Sequence, residues 1–327
     1  MGILLDNYLM NPDDINAYYY AKNFIKNALP KAFFKRKFKN ILAFEAQCDQ
    51  EELYRRLDYY LRLDRKFELP SGAVAIKDFK RTKGTAYYLD LKEFLHYFSK
   101  DTAFAYHFGD ELHVNPHPTL FKARPLIDKN SNSVLFKFNK RRHFRWMKDP
   151  IPFENKKDML VWRGGVHQPW RRDFLEKFCE HPKCNVGHTN TRKNLNEPRR
   201  KEFLSIPEQL RYKFIACIEG NDVATNLKWA MSSNSLCIMP KPTCETWYME
   251  GTLRAGVHYV EVARDFSDLE EKMEYYVARP KEAEAIIDQA HRHVQRFQDK
   301  RMEELLCFMV LEKYAKLSGQ SETLRFL

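Results

Sequence analysis

Two glycine corners hold the residues best suited to chemistry. The first lies in Lys213 to Pro242, KFIACIEGNDVATNLKWAMSSNSLCIMPKP, where an apolar run ends at Gly220, a polar corner follows, and a short helical stretch leads to a second apolar run. Read as strand, helix (VATNLKWAM) and strand, this order puts the corner at the carboxyl edge of a sheet, where open α/β sheets bind ligands. Free backbone N–H groups and the helix dipole at such an edge favour a phosphate. Gly220 allows a tight turn and close backbone approach, and Lys228 would add charge. An ordinary turn with Asn221 or Asp222 as N-cap explains the same residues, and the Asp222 carboxylate opposes an anion unless it points away. The second corner is WRGGVHQPWRRD, residues 162–173. Two glycines follow a strand, and Arg171 and Arg172 open a helix where arginine can grip a diphosphate with paired hydrogen bonds; a solvated basic helix start accounts for them equally. A third cluster, CEHPKCNVGH, offers Cys179, His181, Cys184 and His188 as zinc-capable ligands. Its spacing is not a paired knuckle and Val186 falls in a strand, so no metal site is expected.

The elements around these corners read as a folded α/β protein. The 327 residues are 44% apolar and 30% charged, with a formal charge of +11, which suggests an anionic partner: nucleic acid, a phosphorylated small molecule or an anionic membrane face. Seven scattered cysteines read as reduced thiols, and the opening MGILLDNYLM has no signal-peptide pattern, so a cytoplasmic location is expected. Residues 15–45 read as helices interrupted at Pro30. Within them KNALPKAFFKRKFKNILAF interleaves six Lys/Arg with apolar residues, suiting either peripheral contact with an anionic membrane or a surface helix with its apolar face in the core. The pattern predicts a helix over 50–63 and strands at AVAIKDF, TAYYLDL and SVLFKF. MKDPIPFENKKD (147–158) reads as a linker. Beyond it the order strand (MLVWRGG), helix, strand (CNVGHT), helix near 197–204, strand, helix, strand predicts a parallel sheet. Ser267 and Glu270 stand at capping-box spacing, and the chain from Pro280 onward reads as helical.

Five stretches in fixed order resemble glycosyltransferase family 90, most closely its bacterial lipopolysaccharide branch: FGDELHVNPHPTLFKARPL with NSVLFKFNKRRHF, VWRGGVHQPWRRDFL, NVGH, KFIACIEGNDVATNLKWAMSSNSLCIMP, and ETWYMEGTLRAGVHYVEVARDFSDLEEKMEYYV. They span about Phe104 to Val277. The resemblance implies a GT-B architecture of two Rossmann-like domains facing a cleft. It would have an acceptor-side domain over 1–150, a nucleotide-sugar domain over 151–299, and C-terminal helices, about 300–327, packing back on the first. It implies inverting transfer from a UDP-sugar (glucose, galactose or xylose) to a hydroxyl of a lipopolysaccharide core or related glycan, with no cofactor and no metal. Asp110 stands where relatives carry their general base, the group that takes the acceptor proton as its oxygen attacks the anomeric carbon. His113 and His117 are rival bases by their intrinsic range. Without a metal, the leaving diphosphate must be met by arginine, lysine and backbone amides. Arg163, Gly164, Gly165, Arg172, Lys228 and the backbone of Gly220, Asn221, Asp222, Val223, Ala224 and Thr225 match that need. Glu245 matches an acidic position suited to sugar or ribose hydroxyls. Asn226 stands where relatives often have an arginine that helps hold the diphosphate. Lys122 and Arg124, with Arg141 and Arg142, form either a basic wall for a phosphorylated acceptor or a solvated rim. Two other function classes fit parts of the pattern: a non-catalytic UDP-sugar-binding protein of the same fold, and a basic nucleic-acid-binding protein, for which no motif is present.

Overall fold

The computed structural model describes residues 16–27, 29, 31–82, 84–189 and 199–320. Its strands are β1 (Val74–Ala75), β2 (Ala103–Phe104), β3 (Thr119–Phe121), β4 (Ala123–Pro125), β5 (Ser133–Leu135), β6 (Lys157–Gly164), β7 (Cys184–His188), β8 (Tyr212–Ala216), β9 (Leu236–Met239), β10 (Cys244–Thr246) and β11 (Val260–Glu261). The chain forms two units. The described residues of one are 143–189, 199–243 and Glu250–Arg296; those of the other fall within 16–142, Cys244–Met249 and 297–320.

The first unit is built on a five-stranded sheet in the order β11–β9–β8–β6–β7, every neighbouring pair parallel. Counted along the chain this is the doubly wound order 2-1-3-4-5, whose direction of winding reverses between its first and third strands, here β6 and β8. Leu160, Phe214 and Ile238 form the sheet side of the core. Phe174, Leu175 and Phe178 from the helix Pro169–Phe178, and Ala283, Ile286 and Ile287 from the helix Pro280–Gln295, pack in the same cluster. The expected linker 147–158 is instead part of this body. Phe153 is buried in the core, and Lys156 donates to Asp149 at 2.6 Å with both side chains enclosed. Two local expectations also move. The helix placed near 197–204 forms at Ile206–Gln209, where Glu208 accepts from the N–H and hydroxyl of Ser205; positions 197 and 198 lie outside the described residues. The capping box at Ser267 does not form, because the Ser267 hydroxyl donates to Asp265 and Asp268 precedes the helix Leu269–Ala278.

The second unit holds three two-stranded sheets among the described residues: β1–β2, β3–β5 and β4–β10. Its centre is the helix Lys300–Leu317, which buries Leu305, Leu306, Phe308, Val310, Leu311 and Tyr314. The basic helix Lys31–Glu45 turns Phe34, Phe38 and Ile41 inward, and Phe38 meets Phe308 with ring centroids 4.9 Å apart. Its apolar stripe is therefore spent on the core, although Phe33 stays exposed. Of SVLFKF only Ser133–Leu135 form β5, whereas TAYYLDL lies in the helix Thr85–Leu95. That helix buries Ala86, Tyr87, Leu89, Asp90, Leu91, Phe94 and Leu95. A helix covered on most sides carries no clear 3.6-residue stripe, so its apolar run imitates a strand. AVAIKDF divides into β1 and a 3₁₀ turn at Ile76–Asp78.

Candidate active site

In the first unit, the winding-reversal point brings together the loops after β6 and β8, the two glycine corners. Arg171 fastens them. Its guanidinium donates to the carbonyls of Glu219 (2.9 Å), Ile218 (2.6 Å) and Gly165 (3.1 Å). Trp170 Nε1 donates to the same Glu219 carbonyl at 2.8 Å, and Gln168 donates to the side chain of Asn221. At Gly220 a side chain would press on this fastening, since a Cβ there would lie 3.1 Å from Arg171 Nη2. Gly164 is needed against the Trp162 ring, 2.6 Å from a built Cβ.

Beside these loops lies a cavity of about 350 Å³, at the small end of ligand-sized pockets. Val223, Ala224, Leu227, Met239, Pro240 and Pro242 supply apolar wall, and Glu219 and Glu250 supply carboxylates. Glu219 is held by the Thr243 N–H at 2.9 Å and the Thr243 hydroxyl at 2.5 Å. Two exposed cations, Lys241 and Arg264, line the cavity just beyond the ends of β9 and β11. Neither they nor Trp170 stood out from the sequence. Their signal was position, a basic residue shortly after a parallel strand, and it becomes readable only once the strand order is known.

Several expected donor-side residues are committed elsewhere. Lys228 is fully buried and donates to Glu250 at 2.6 Å. It holds a cavity carboxylate and presents no ammonium to a phosphate. Arg163 donates to the carbonyls of Glu202, Trp162 and Asn185 and to the Asn185 side chain, all at 2.8–2.9 Å, which ties β6 to its neighbours. Asn226 caps the Ala216 carbonyl at 2.9 Å. The helix after the corner is only Leu227–Met231, five residues of aligned dipoles, so the N-terminal field argued for Gly220–Thr225 is correspondingly small. Arg172 lies in the first turn of its helix and is exposed. The Cys/His cluster does not assemble: Cys179 and Cys184 are buried in the core, and His181 faces Glu270 at 3.3 Å.

In the second unit, Asp110 sits between β2 and β3 amid three donors. Oδ1 accepts from Tyr87 Oη at 2.6 Å and from Lys122 Nζ; Oδ2 accepts from Arg142 Nη1 at 3.0 Å. Burial disfavours the carboxylate, but Lys122, the Tyr87 hydroxyl and Arg142 outweigh it and hold the pKa below the ordinary aspartate value. The group is thus ionised at neutral pH and able to accept a proton. Lys122 serves Asp110, and His117 is exposed. His113 stands beside His107 and Glu111.

Arg124 and Glu245 correct the sequence reading. Expected on an acceptor wall and at a donor sugar, they are fully buried against each other in the second unit, Nε to Oε1 at 2.7 Å. Glu245 also accepts from Arg62 at 3.0 Å and from Tyr59, while Arg124 donates to the Tyr59 carbonyl at 2.7 Å. Their β-strands pair directly, with Glu245 opposite Arg124 in the antiparallel β4–β10 ladder. The pair is buried and joins β4 to β10.

The chain matches the family model described as Glycosyl transferase family 90 over residues 138–325. It is 45% identical over 262 residues to a protein named O-glucosyltransferase LpsA from Dichelobacter nodosus, covering 80% of this chain and 82% of that one. It is also 27% identical over 132 residues to Uncharacterized protein 035R of Invertebrate iridescent virus 3, covering 36% of this chain and 12% of that protein.

Proposed function

This chain belongs to glycosyltransferase family 90 and is a glycosyltransferase; from that premise we propose that it transfers glucose, with inversion, from UDP-glucose to a hydroxyl of a lipopolysaccharide core or related surface glycan. Glucose is favoured over the other sugars because the Dichelobacter nodosus relative is named an O-glucosyltransferase. The observation that carries the donor reading is the cavity at the carboxyl ends of β8, β9 and β11. It combines an apolar wall, two carboxylates and a cationic rim in one place. An apolar wall suits a pyrimidine, a carboxylate such as Glu250 suits ribose hydroxyls, and Lys241 and Arg264 suit the diphosphate. In this reading the architecture is GT-B and the enzyme works at the cytoplasmic face of a membrane.

Asp110 takes the acceptor proton. As the hydroxyl oxygen attacks the anomeric carbon, the O–H bond breaks toward the carboxylate and the carbon–diphosphate bond breaks on the opposite face. Lys122 and Arg142 hold Asp110 charged and oriented, at some cost in basicity. The developing diphosphate charge is met by arginine and lysine side chains, so the transfer asks for no bound metal.

Calorimetric titration with UDP, beside ADP, GDP and CMP and with EDTA present, tests the donor reading. Selective binding of UDP is expected. Failure to bind any of the four would overturn it.

A further inference from the structure

We propose that His107, Glu111 and His113 form a binding site for a divalent transition ion of the zinc class. The three residues come from one loop, HFGDELH. Among the described residues they are the group of His, Cys, Asp and Glu side chains whose ligand atoms converge, all within 4.8 Å of one another. Glu111 Oε2 lies 3.0 Å from His107 Nε2 and 3.9 Å from His113 Nδ1. Ligands at about 2.0–2.1 Å from a tetrahedral ion stand roughly 3.3 Å apart, so small side-chain rotations would close the set on one ion.

Three further observations point the same way. His107 Nε2 is shielded from solvent and makes no hydrogen bond, despite its 3.0 Å approach to the carboxylate. A buried ring nitrogen without a hydrogen-bond partner is one that a bound ion would satisfy. Both rings rest on Phe121, with centroids 5.5 Å and 5.0 Å away, and the His107 N–H is fixed to the Leu120 carbonyl at 2.9 Å. The two imidazoles therefore rest on a shared apolar support before an ion arrives. Gly109 lies against the ligating atoms: a Cβ there would be in ordinary contact, 3.4 Å from His107 Nε2 and 3.6 Å from Glu111 Oε1.

Two imidazoles and one carboxylate select zinc, cobalt or a similar ion over magnesium or calcium, which prefer all-oxygen sites. Three protein ligands leave a fourth position for water. Asp110 lies within the loop but turns its carboxylate to Tyr87, Lys122 and Arg142, so it is not a ligand. The ion would tie the loop at both ends and so fix the backbone that carries Asp110. This is a positioning role, compatible with a transfer whose diphosphate is held by side-chain cations, and it stands whether or not the donor reading holds.

The test is titration of chelator-treated full-length protein with Zn²⁺ by calorimetry, with Co²⁺ absorption as a second readout. One site per chain is expected. His107→Ala and His113→Ala should each weaken it about tenfold or more, and His181→Ala should leave it unchanged. A visible Co²⁺ band should appear in the wild type and vanish in Glu111→Gln. Absence of Zn²⁺ uptake by the wild type would overturn the proposal. So would unchanged affinity in folded His107→Ala and His113→Ala, or loss of binding in His181→Ala.

Discussion

Asp110 and Glu245 are both carboxylates ringed by cations, yet their surroundings assign them opposite work. Asp110 is partly exposed and Glu245 is fully enclosed. Replacing Asp110 by Asn keeps the shape and removes the proton acceptor. Turnover should fall by about 10²–10⁴-fold with UDP affinity unchanged, and a variant that retains turnover would exclude Asp110 as base. Replacing Glu245 by Gln leaves Arg124 buried without its counter-ion, a change that costs about 3–5 kcal/mol. Denaturant unfolding should register that loss, while wild-type stability in Glu245→Gln would contradict a structural role. Lys228 belongs with Glu245: a lysine near a glycine corner looks like a phosphate ligand in a linear sequence, and its partner Glu250, 22 residues later, is what decides otherwise.

At the scale of elements, the donor side depends on how two loops are fastened. Arg171 satisfies three carbonyls from both corners, and lysine cannot reproduce that planar fork. Hydrogen bonds from a charged donor are worth about 1.5–3 kcal/mol each. Arg171→Lys should therefore loosen the loops, weakening UDP binding several-fold in the calorimeter, with the far-UV spectrum of the sheet unchanged. Equal UDP affinity in wild type and Arg171→Lys would show that the fastening does not shape the site. Both corners were legible because glycine after an apolar run marks a strand end. The roles of the adjacent arginines were not, because neighbouring helix positions point about 100° apart: Arg171 turns into the loops and Arg172 outward. The buried helix Thr85–Leu95 was illegible for a related reason, since its burial on most sides erased the periodicity that separates helix from strand.

The whole molecule is assembled from segments distant in sequence. In the second unit Glu303, on the C-terminal helix, accepts from Arg56 at 2.6 Å, Lys137 at 2.6 Å and Trp247 Nε1 at 2.8 Å. Tyr60 stacks on Trp247 with centroids 3.7 Å apart. Four regions of chain thus meet at one carboxylate. Burial opposes its charge, but Lys137 and Arg56 outweigh that and hold its pKa below the usual glutamate range. A depressed folded pKa contributes stability that is fully present above the unfolded value of about 4.3 and lost as pH falls through the folded value. Wild-type stability should therefore drop below about pH 4.3 more steeply than that of Glu303→Gln, followed by denaturant midpoint against pH. Parallel acid limbs would remove Glu303 from the linkage.

The sequence by itself determined the family, the α/β class, the parallel-sheet half of the chain and the two glycine corners. These rest on local signals: apolar runs of strand length, glycine at strand ends, and ordered motifs. Tertiary structure alone decided which charged residues remain available for chemistry. Arg163, Arg124, Glu245 and Lys228 all carried suitable groups, but each met an internal partner. Lys241, Arg264 and Trp170 drew no notice until the 2-1-3-4-5 order set them around one cavity. The physical reason is that a charge is worth little to a ligand once a closer opposite charge or carbonyl has neutralised it. That proximity is fixed by strand pairing and helix packing across tens to hundreds of residues, which spacing along the chain does not encode.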